Sequence, residues 1–209
     1  MYNKYVWNED GSVKGEFDLM YKEVDDPWFH SKEKYESLST SLNLIEYIKL
    51  NNIKAIHSIG CGKGYYEKWI SQQLNNKCIF SGVDLSKTAI EFANKLIPLG
   101  FFYASDATSD IKNIDTNEIS ICEKLFLIRE LFWYVGHNWV KIIDQIPLNS
   151  IVAIELTFYS SQKYQLDVFN GEQDFMKKIQ QYLKIIRINK SKINEDGNFI
   201  QLIIAKKYA

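Results

Sequence analysis

Three glycines at alternate positions, Gly60, Gly62 and Gly64 in SIGCGKG, stand between an apolar run and an amphipathic stretch. Glycine reaches positive φ without strain and leaves no Cβ between backbone and ligand, so such a loop lets a bound molecule approach closely. An acid follows at the end of each of the next two apolar runs. These are Asp84 in CIFSGVDLS, 20 residues past Gly64, and Asp106 in FFYASDA. At the first place a carboxylate accepts from both hydroxyls of a ribose. At the second it accepts from an adenine amino group. The competing readings are a helix cap ahead of Ser86 for Asp84 and an ordinary turn acid for Asp106. Taken together, the loop and the two acids point to an adenosine-containing ligand. The GxGxG spacing puts Tyr65 where a dinucleotide fingerprint requires its third glycine, which disfavours a pyrophosphate.

Further along, Arg129 and Glu130 follow the apolar stretch Leu125 to Ile128 and emerge at the end of a strand. Charged groups are costly there unless they serve a function, the alternative being a mutual ion pair. His137, in the break after FWYVG, has the ordinary chemistry of a general base near neutral pH, against the reading of a solvated loop histidine. Glu155, at the end of the next strand, and His30, near the N-terminus, are the remaining polar candidates.

The elements that must position these groups alternate. Residues 1–30 hold many aromatics but little periodicity, and read as an arm that packs on the domain or closes over a site as a lid. From Ser31, with Pro27 just before it, Tyr35, Leu38, Leu42, Ile45 and Ile48 recur at helical spacing to about Leu50. Then come strand, glycine turn and helix, a strand ending in Asp84, a helix stopping near Pro98 and Gly100, and a strand ending in Asp106. KLFLIRE is the fourth strand, and LFWYVGHNWVKIIDQI is helical with a break at Gly136. SIVAIELTF is the fifth strand, followed by a helix from about Gln173 to Leu183. LKIIRI and NFIQLIIAKK, separated by Asp196-Gly197, form a hairpin. This alternation predicts an α/β fold: a doubly wound, mostly parallel seven-stranded sheet closed by an antiparallel C-terminal hairpin. The domain division is an arm over 1–30 and one domain over 31–209.

Composition narrows the partners. The 209 residues carry 25 Lys plus Arg against 26 Asp plus Glu, leaving no positive surplus for counterion-releasing contact with nucleic acid. Only Arg129 and Arg187 are arginines. Cys61, Cys78 and Cys122 lie far apart without CxxC pairing, so neither a disulfide framework nor a zinc site is expected. There is no run of 18 apolar residues and no leader pattern, hence the expectation of a cytoplasmic protein with no membrane partner. No metal is expected.

SIGCGKG, GVDLS and YASDA resemble the first three motifs of class I S-adenosylmethionine-dependent methyltransferases. DPWFHSKEKYE and RELFWYV are similar, more narrowly, to the nodulation protein S family of small-molecule methyltransferases. The resemblance runs from about Asp26 to the C-terminus. It implies a Rossmann-like methyltransferase fold and S-adenosylmethionine as cofactor, contacted by Trp28, Tyr35, Gly60, Cys61, Gly62, Asp84, Leu85, Asp106, Ala107 and Arg129. It implies Glu130 and His137 as catalytic groups, with His30, Tyr134 and Glu155 around a small-molecule methyl acceptor. Trp28, Tyr35 and Tyr134 are the rings expected to surround the sulfonium, whereas Phe132 and Trp133 read as core. The implied reaction is N- or O-methylation of a small polar metabolite, in surface-polysaccharide or specialised-metabolite biosynthesis.

Two departures stand out. Ser58 replaces the acid that usually begins the first motif; Glu67 reads as a solvated helix-face acid, with compensation for the missing acid as the alternative. LNS before the fifth strand replaces a typical PGG, a structural change with no bearing on chemistry. The rival functions are a non-catalytic cofactor-binding or interaction protein and a nicotinamide-dependent oxidoreductase, the latter opposed by Tyr65.

Overall fold

The strand and helix alternation is realised in a computed structural model that describes residues 2–111, 120–162 and 165–208, with the side chain of Cys122 outside the described residues. β1 (Ala55–Ile59), β2 (Ile79–Asp84), β3 (Phe101–Ala104), β4 (Lys124–Arg129) and β5 (Ile151–Phe158) pair in parallel. β6 (Leu183–Lys190) and β7 (Phe199–Lys207) complete the sheet antiparallel. The order is β3-β2-β1-β4-β5-β7-β6, so the chain reverses direction of winding between β1 and β4. A crevice opens at the carboxyl ends of those two strands, where α/β sheets bind ligands.

The central strands are apolar on both faces because helices cover both. On one face α6 (Phe132–Val135), α7 (Trp139–Gln145) and α8 (Gly171–Ile179) bury Phe132, Trp133, Trp139, Ile142 and Phe175 against Phe126, Val152 and Ile154. On the other, α3 (Ser39–Leu50), α4 (Tyr65–Gln73) and α5 (Lys87–Leu96) pack Leu44, Ile48, Tyr66, Ile70 and Ala93 against Ile56, Phe80, Leu125 and Leu127. In the N-terminal arm, α1 (Asn3–Val6) and α2 (Phe17–Glu23) lay Tyr5, Val6, Met20 and Tyr21 against Ala89 of α5.

Four boundaries differ from the sequence expectation. The helix expected from Ser31 is replaced by two 3-10 turns, His30–Lys32 and Tyr35–Ser37, and α3 begins only at Ser39. Tertiary contacts override the periodicity there. Glu33 is drawn to Arg129 at 2.9 Å, and the Tyr35 hydroxyl donates to the His30 carbonyl at 3.1 Å. β3 stops at Ala104, and Asp106 opens a turn whose Thr108 amide donates to Asp106 Oδ1 at 2.8 Å. The helix expected to reach Leu183 ends at Ile179, and Leu183 begins β6. The arm's α1 and α2 were not legible as periodicity, being only 4 and 7 residues long. In LNS, Asn149 adopts φ +69° and its amide donates to the Lys207 carbonyl at 2.9 Å, so asparagine takes the left-handed conformation that glycine takes elsewhere.

His57 of β1 is buried between the sheet and the segment after β3, with Nδ1 2.8 Å from Ser81 Oγ and Nε2 2.7 Å from the Ile111 carbonyl. Burial holds its pKa down to about 4, from an ordinary 6.5, against the raising effect of the Ile111 contact. The folded state therefore resists protonation. The stabilisation is complete above pH 6.5 and is lost as pH falls toward 4, to a limit of about 3 kcal/mol. Denaturation at pH 7.5 and pH 4.5 checks this: the acid-induced loss should be larger in the native chain than in a His57→Gln variant by about 2–3 kcal/mol.

Candidate functional site

A cavity of about 1060 Å³ lies at the carboxyl ends of the strands, floored by the glycine loop and roofed by the arm. Of the residues singled out in the sequence, Gly60, Cys61, Gly62, Asp84, Leu85, Asp106 and Ala107 form one part of its wall. Arg129, Glu130, Tyr134, His137, Trp28 and His30 form another. Two are not in the wall. Tyr35 is buried behind it, its ring 4.9 Å from that of Tyr66 and 5.4 Å from the Arg129 guanidinium. Glu155 is wholly buried, with Oε1 accepting from Arg129 Nε at 2.6 Å. Neither is where the sequence expectation put it: both pack around Arg129 behind the wall, with strand register setting Arg129 opposite Glu155.

The loop is shaped by its neighbours. Gly60, Gly62 and Gly64 have φ of +79°, +53° and +76°. Positive φ favours glycine at Gly60 and Gly62, and a Cβ would in addition displace the Tyr21 hydroxyl, 2.7 Å from one on Gly62, or Leu131 Cδ1, 2.9 Å from one on Gly60. Asp84 holds the loop from the far side: Oδ2 accepts the Gly62 amide and Oδ1 the Ser86 amide, each at 2.9 Å. Its carboxyl pKa is raised by burial, with these two bonds opposing. Each oxygen keeps a lone pair for a ligand donor. The helix cap weighed for Asp84 is supplied by Ser86, whose Oγ accepts from the Ala89 amide at 3.1 Å. Asp106 is a turn acid that also faces the cavity: Oδ1 accepts from Thr108 N and Oγ1 at 2.8 Å.

Arg129 is buried between Glu33 and Glu155, with its guanidinium 4.6 Å from the Tyr66 ring centre. Desolvation alone would lower its pKa, but the two carboxylates raise it further, so it stays charged. His30 Nε2 lies 3.4 Å from Arg129 Nη1. Burial and the adjacent arginine hold the His30 pKa down to about 3, so its ring is neutral in the working range. Arg129 and Glu130 do not form the mutual ion pair weighed from the sequence. Glu130 instead has φ +54°, a left-handed conformation that costs a non-glycine residue roughly 1–2 kcal/mol. That geometry turns its carboxylate into the cavity, where Thr157 Oγ1 donates to Oε1 at 2.7 Å. Burial raises the Glu130 pKa to about 7, against the lowering by Thr157 and Arg129. His137 stands at the exposed rim, 2.9 Å from Asp167.

Residues of the arm that sequence reasoning passed over complete the roof. Tyr21 covers Gly62 and accepts from Trp28 Nε1 at 3.0 Å. The Trp28 ring centre is 5.4 Å from that of Tyr134, and those of Trp7 and Phe17 are each 5.8 Å from it. Lys63 of the glycine loop is buried and reaches Asp25, at 3.0 Å from Oδ1. Asp18 Oδ1 accepts from Ser86 Oγ and the Thr88 amide at 2.9 Å, tying α2 to the N-terminus of α5. The only sequence cue for these was a lysine set inside a glycine loop. Asp18→Ala should loosen the arm by about 1 kcal/mol, as loss of a helix cap does. Limited proteolysis checks this, with faster cleavage within residues 1–30 expected in the variant.

The adenosine-bearing cofactor fits this cavity. The glycine loop and Asp84 line it, each Asp84 oxygen keeps a lone pair beyond its amide bond, and the volume exceeds what one nucleoside-sized ligand fills. Among the described residues no group of His, Cys, Asp and Glu is arranged to hold a metal, and no helix is long and apolar enough to cross a membrane.

No family model matches the sequence, and no curated protein matches it significantly. Solved structures do match by shape. The chain is similar to the N-methyltransferase NodS from Bradyrhizobium japonicum WM9 in complex with S-adenosyl-L-homocysteine, at 12% identity and TM-score 0.59, over 92% of this chain and 95% of that one. It is similar to the plantazolicin methyltransferase BpumL in complex with the same product, at 16% identity and TM-score 0.60, over 99% and 93%. A SAM dependent methyltransferase from Aquifex aeolicus matches at 15% identity and TM-score 0.59, over 90% and 97%. The fold is thus the Rossmann-like fold of class I S-adenosylmethionine-dependent methyltransferases, with the predicted seven-stranded sheet and antiparallel close.

Proposed function

We propose that this chain is an S-adenosylmethionine-dependent methyltransferase that methylates nitrogen or oxygen of a small polar metabolite, of the kind used in surface-polysaccharide or specialised-metabolite biosynthesis. The observation that carries the reading is the glycine loop fastened to Asp84 at the floor of one large cavity. The likeness to NodS and to the plantazolicin enzyme, both solved with the demethylated product, supports it.

When bound, the cofactor supplies a methyl group on a positively charged sulfur, open to in-line displacement. The protein's own residues do the rest. Asp84 accepts the ribose hydroxyls, and Asp106 and Ala107 border the adenine side. Trp28, Tyr134 and Phe17 present aromatic faces to a cation, each worth about 0.5–2 kcal/mol. Glu130 takes the proton of an ammonium or hydroxyl acceptor, its pKa of about 7 being suited to that role. The arm excludes water. His137 is at the rim and serves the acceptor's entry, with His30 inside. Near-neutral charge (net −1) favours a small acceptor over nucleic acid.

Incubation with methyl-labelled S-adenosylmethionine and a panel of small amines, amino sugars and alcohols tests the reading. Label should appear in a small-molecule fraction and be absent from RNA or protein. Label transferred only to macromolecules would contradict it.

A further inference from the structure

The sequence expectation of a solvated Glu67 is reversed. Glu67, in the first turn of α4, is 3% exposed, and Oε1 accepts from Ser58 Oγ at 2.5 Å. Oε2 is buried with no hydrogen-bond partner among the described residues. Burial raises its carboxyl pKa, with the Ser58 bond and the more distant Arg129 charge opposing, and its own charge is felt by Cys61. A carboxylate kept this deep with an unfilled oxygen is costly, and a plain core would hold an apolar residue there.

The other acids near the cavity floor are engaged. Asp84 holds two backbone amides, Glu33 and Glu155 both hold Arg129, and Glu130 accepts from Thr157. Glu155 also has an unpartnered oxygen, but its charge is neutralised by Arg129 at 2.6 Å. No cation lies within hydrogen-bond distance of Glu67 among the described residues, and the Arg129 charge reaches it only from farther away. It lies a few residues along the chain from Gly60 and Cys61, both in the cavity wall. The amino-acid end of the cofactor carries one ammonium, which needs a fixed negative charge beside the loop. Resting on the function proposed above, we infer that Glu67, held by Ser58, supplies the negative charge that retains this ammonium. Ser58 and Glu67 thereby act as one unit, in which the short hydroxyl on β1 leaves room for a long carboxylate arriving from α4. Ser58 is a positioning residue. Neither Glu67 nor Ser58 lines the cavity, so Glu67 acts across the Gly60–Cys61 wall, where a low dielectric strengthens charge interactions.

Calorimetry with two ligands tests this. S-adenosylhomocysteine carries the amino-acid end; 5′-methylthioadenosine has the same nucleoside and sulfur without it. Glu67→Gln keeps the shape and the Ser58 bond while removing the charge. It should weaken S-adenosylhomocysteine about tenfold or more and leave methylthioadenosine within about twofold. Ser58→Asp combined with Glu67→Gln puts the charge back on β1 and should restore affinity to within about threefold of the native chain. Equal losses for both ligands, or none for either, would overturn the inference. Should Glu67→Gln fail to fold, judged by circular dichroism, the double variant decides: restored selectivity for the amino-acid end supports the inference and its absence overturns it. If the native chain binds neither ligand, the methyltransferase reading itself fails, and this inference with it.

Discussion

Replacing Asp84 by alanine is expected to weaken S-adenosylhomocysteine binding by roughly a hundredfold or more. Two effects add. A ribose would lose two hydrogen bonds to a charged acceptor, at about 1.5–3 kcal/mol each. The Gly62 and Ser86 amides, each 2.9 Å from a carboxylate oxygen, would also lose the anchor that shapes the loop. Asp84→Asn separates the two effects, because its amide oxygen still accepts one of these bonds while the charge is gone. It should fall between alanine and the native residue. Calorimetric titration of the three proteins reads the series directly, and unchanged affinity in Asp84→Ala would remove the ribose from this position.

The second large effect concerns Glu130. Glu130→Gln is expected to lower turnover by about 10²–10⁴-fold, the usual worth of a positioned proton acceptor, with cofactor affinity kept. The native rate should rise with pH through about 7, since the carboxylate must be deprotonated to accept a proton, and the variant should lose that step. Stability runs the other way. A folded pKa raised above the unfolded value of 4.5 gives stability that is present below 4.5 and lost as pH climbs through about 7. Glu130→Gln should therefore be more stable than the native chain at pH 8, by about 1–3 kcal/mol. A less active and more stable variant is the signature of a group retained for chemistry. Full activity in Glu130→Gln would take it out of the site. His137→Ala tests the rim: its exposed partner Asp167 leaves little to destabilise, and impaired turnover is expected with cofactor affinity mostly kept.

The sheet was readable because its signals are local. Apolar runs of strand length, each followed by a helical stripe, leave little choice of topology once right-handed crossovers are imposed. The glycine loop and the acids after β2 and β3 were readable for the same reason, since a strand-turn-helix unit puts its own residues at the cavity. What escaped depends on contacts between distant segments. Helical spacing from Ser31 lost to the pull of Arg129 on Glu33, 96 residues away. Glu67 read as solvated because helix periodicity does not reveal that Ser58 opens a space beneath it. The left-handed backbone of Glu130 has no sequence signature at all, yet it is what turns an acid from a strand end into the cavity. Tyr35 and Glu155 lie behind the cavity wall, around Arg129, because a motif fixes a residue's place along the chain and not its depth.

We propose that the cavity takes an adenosyl sulfur compound and not a dinucleotide. Calorimetric titration of the native chain with S-adenosylmethionine, S-adenosylhomocysteine and NAD tests it most directly. Saturable binding of both sulfur compounds, with no heat from NAD, is the predicted result; binding of NAD with neither sulfur compound would contradict the account.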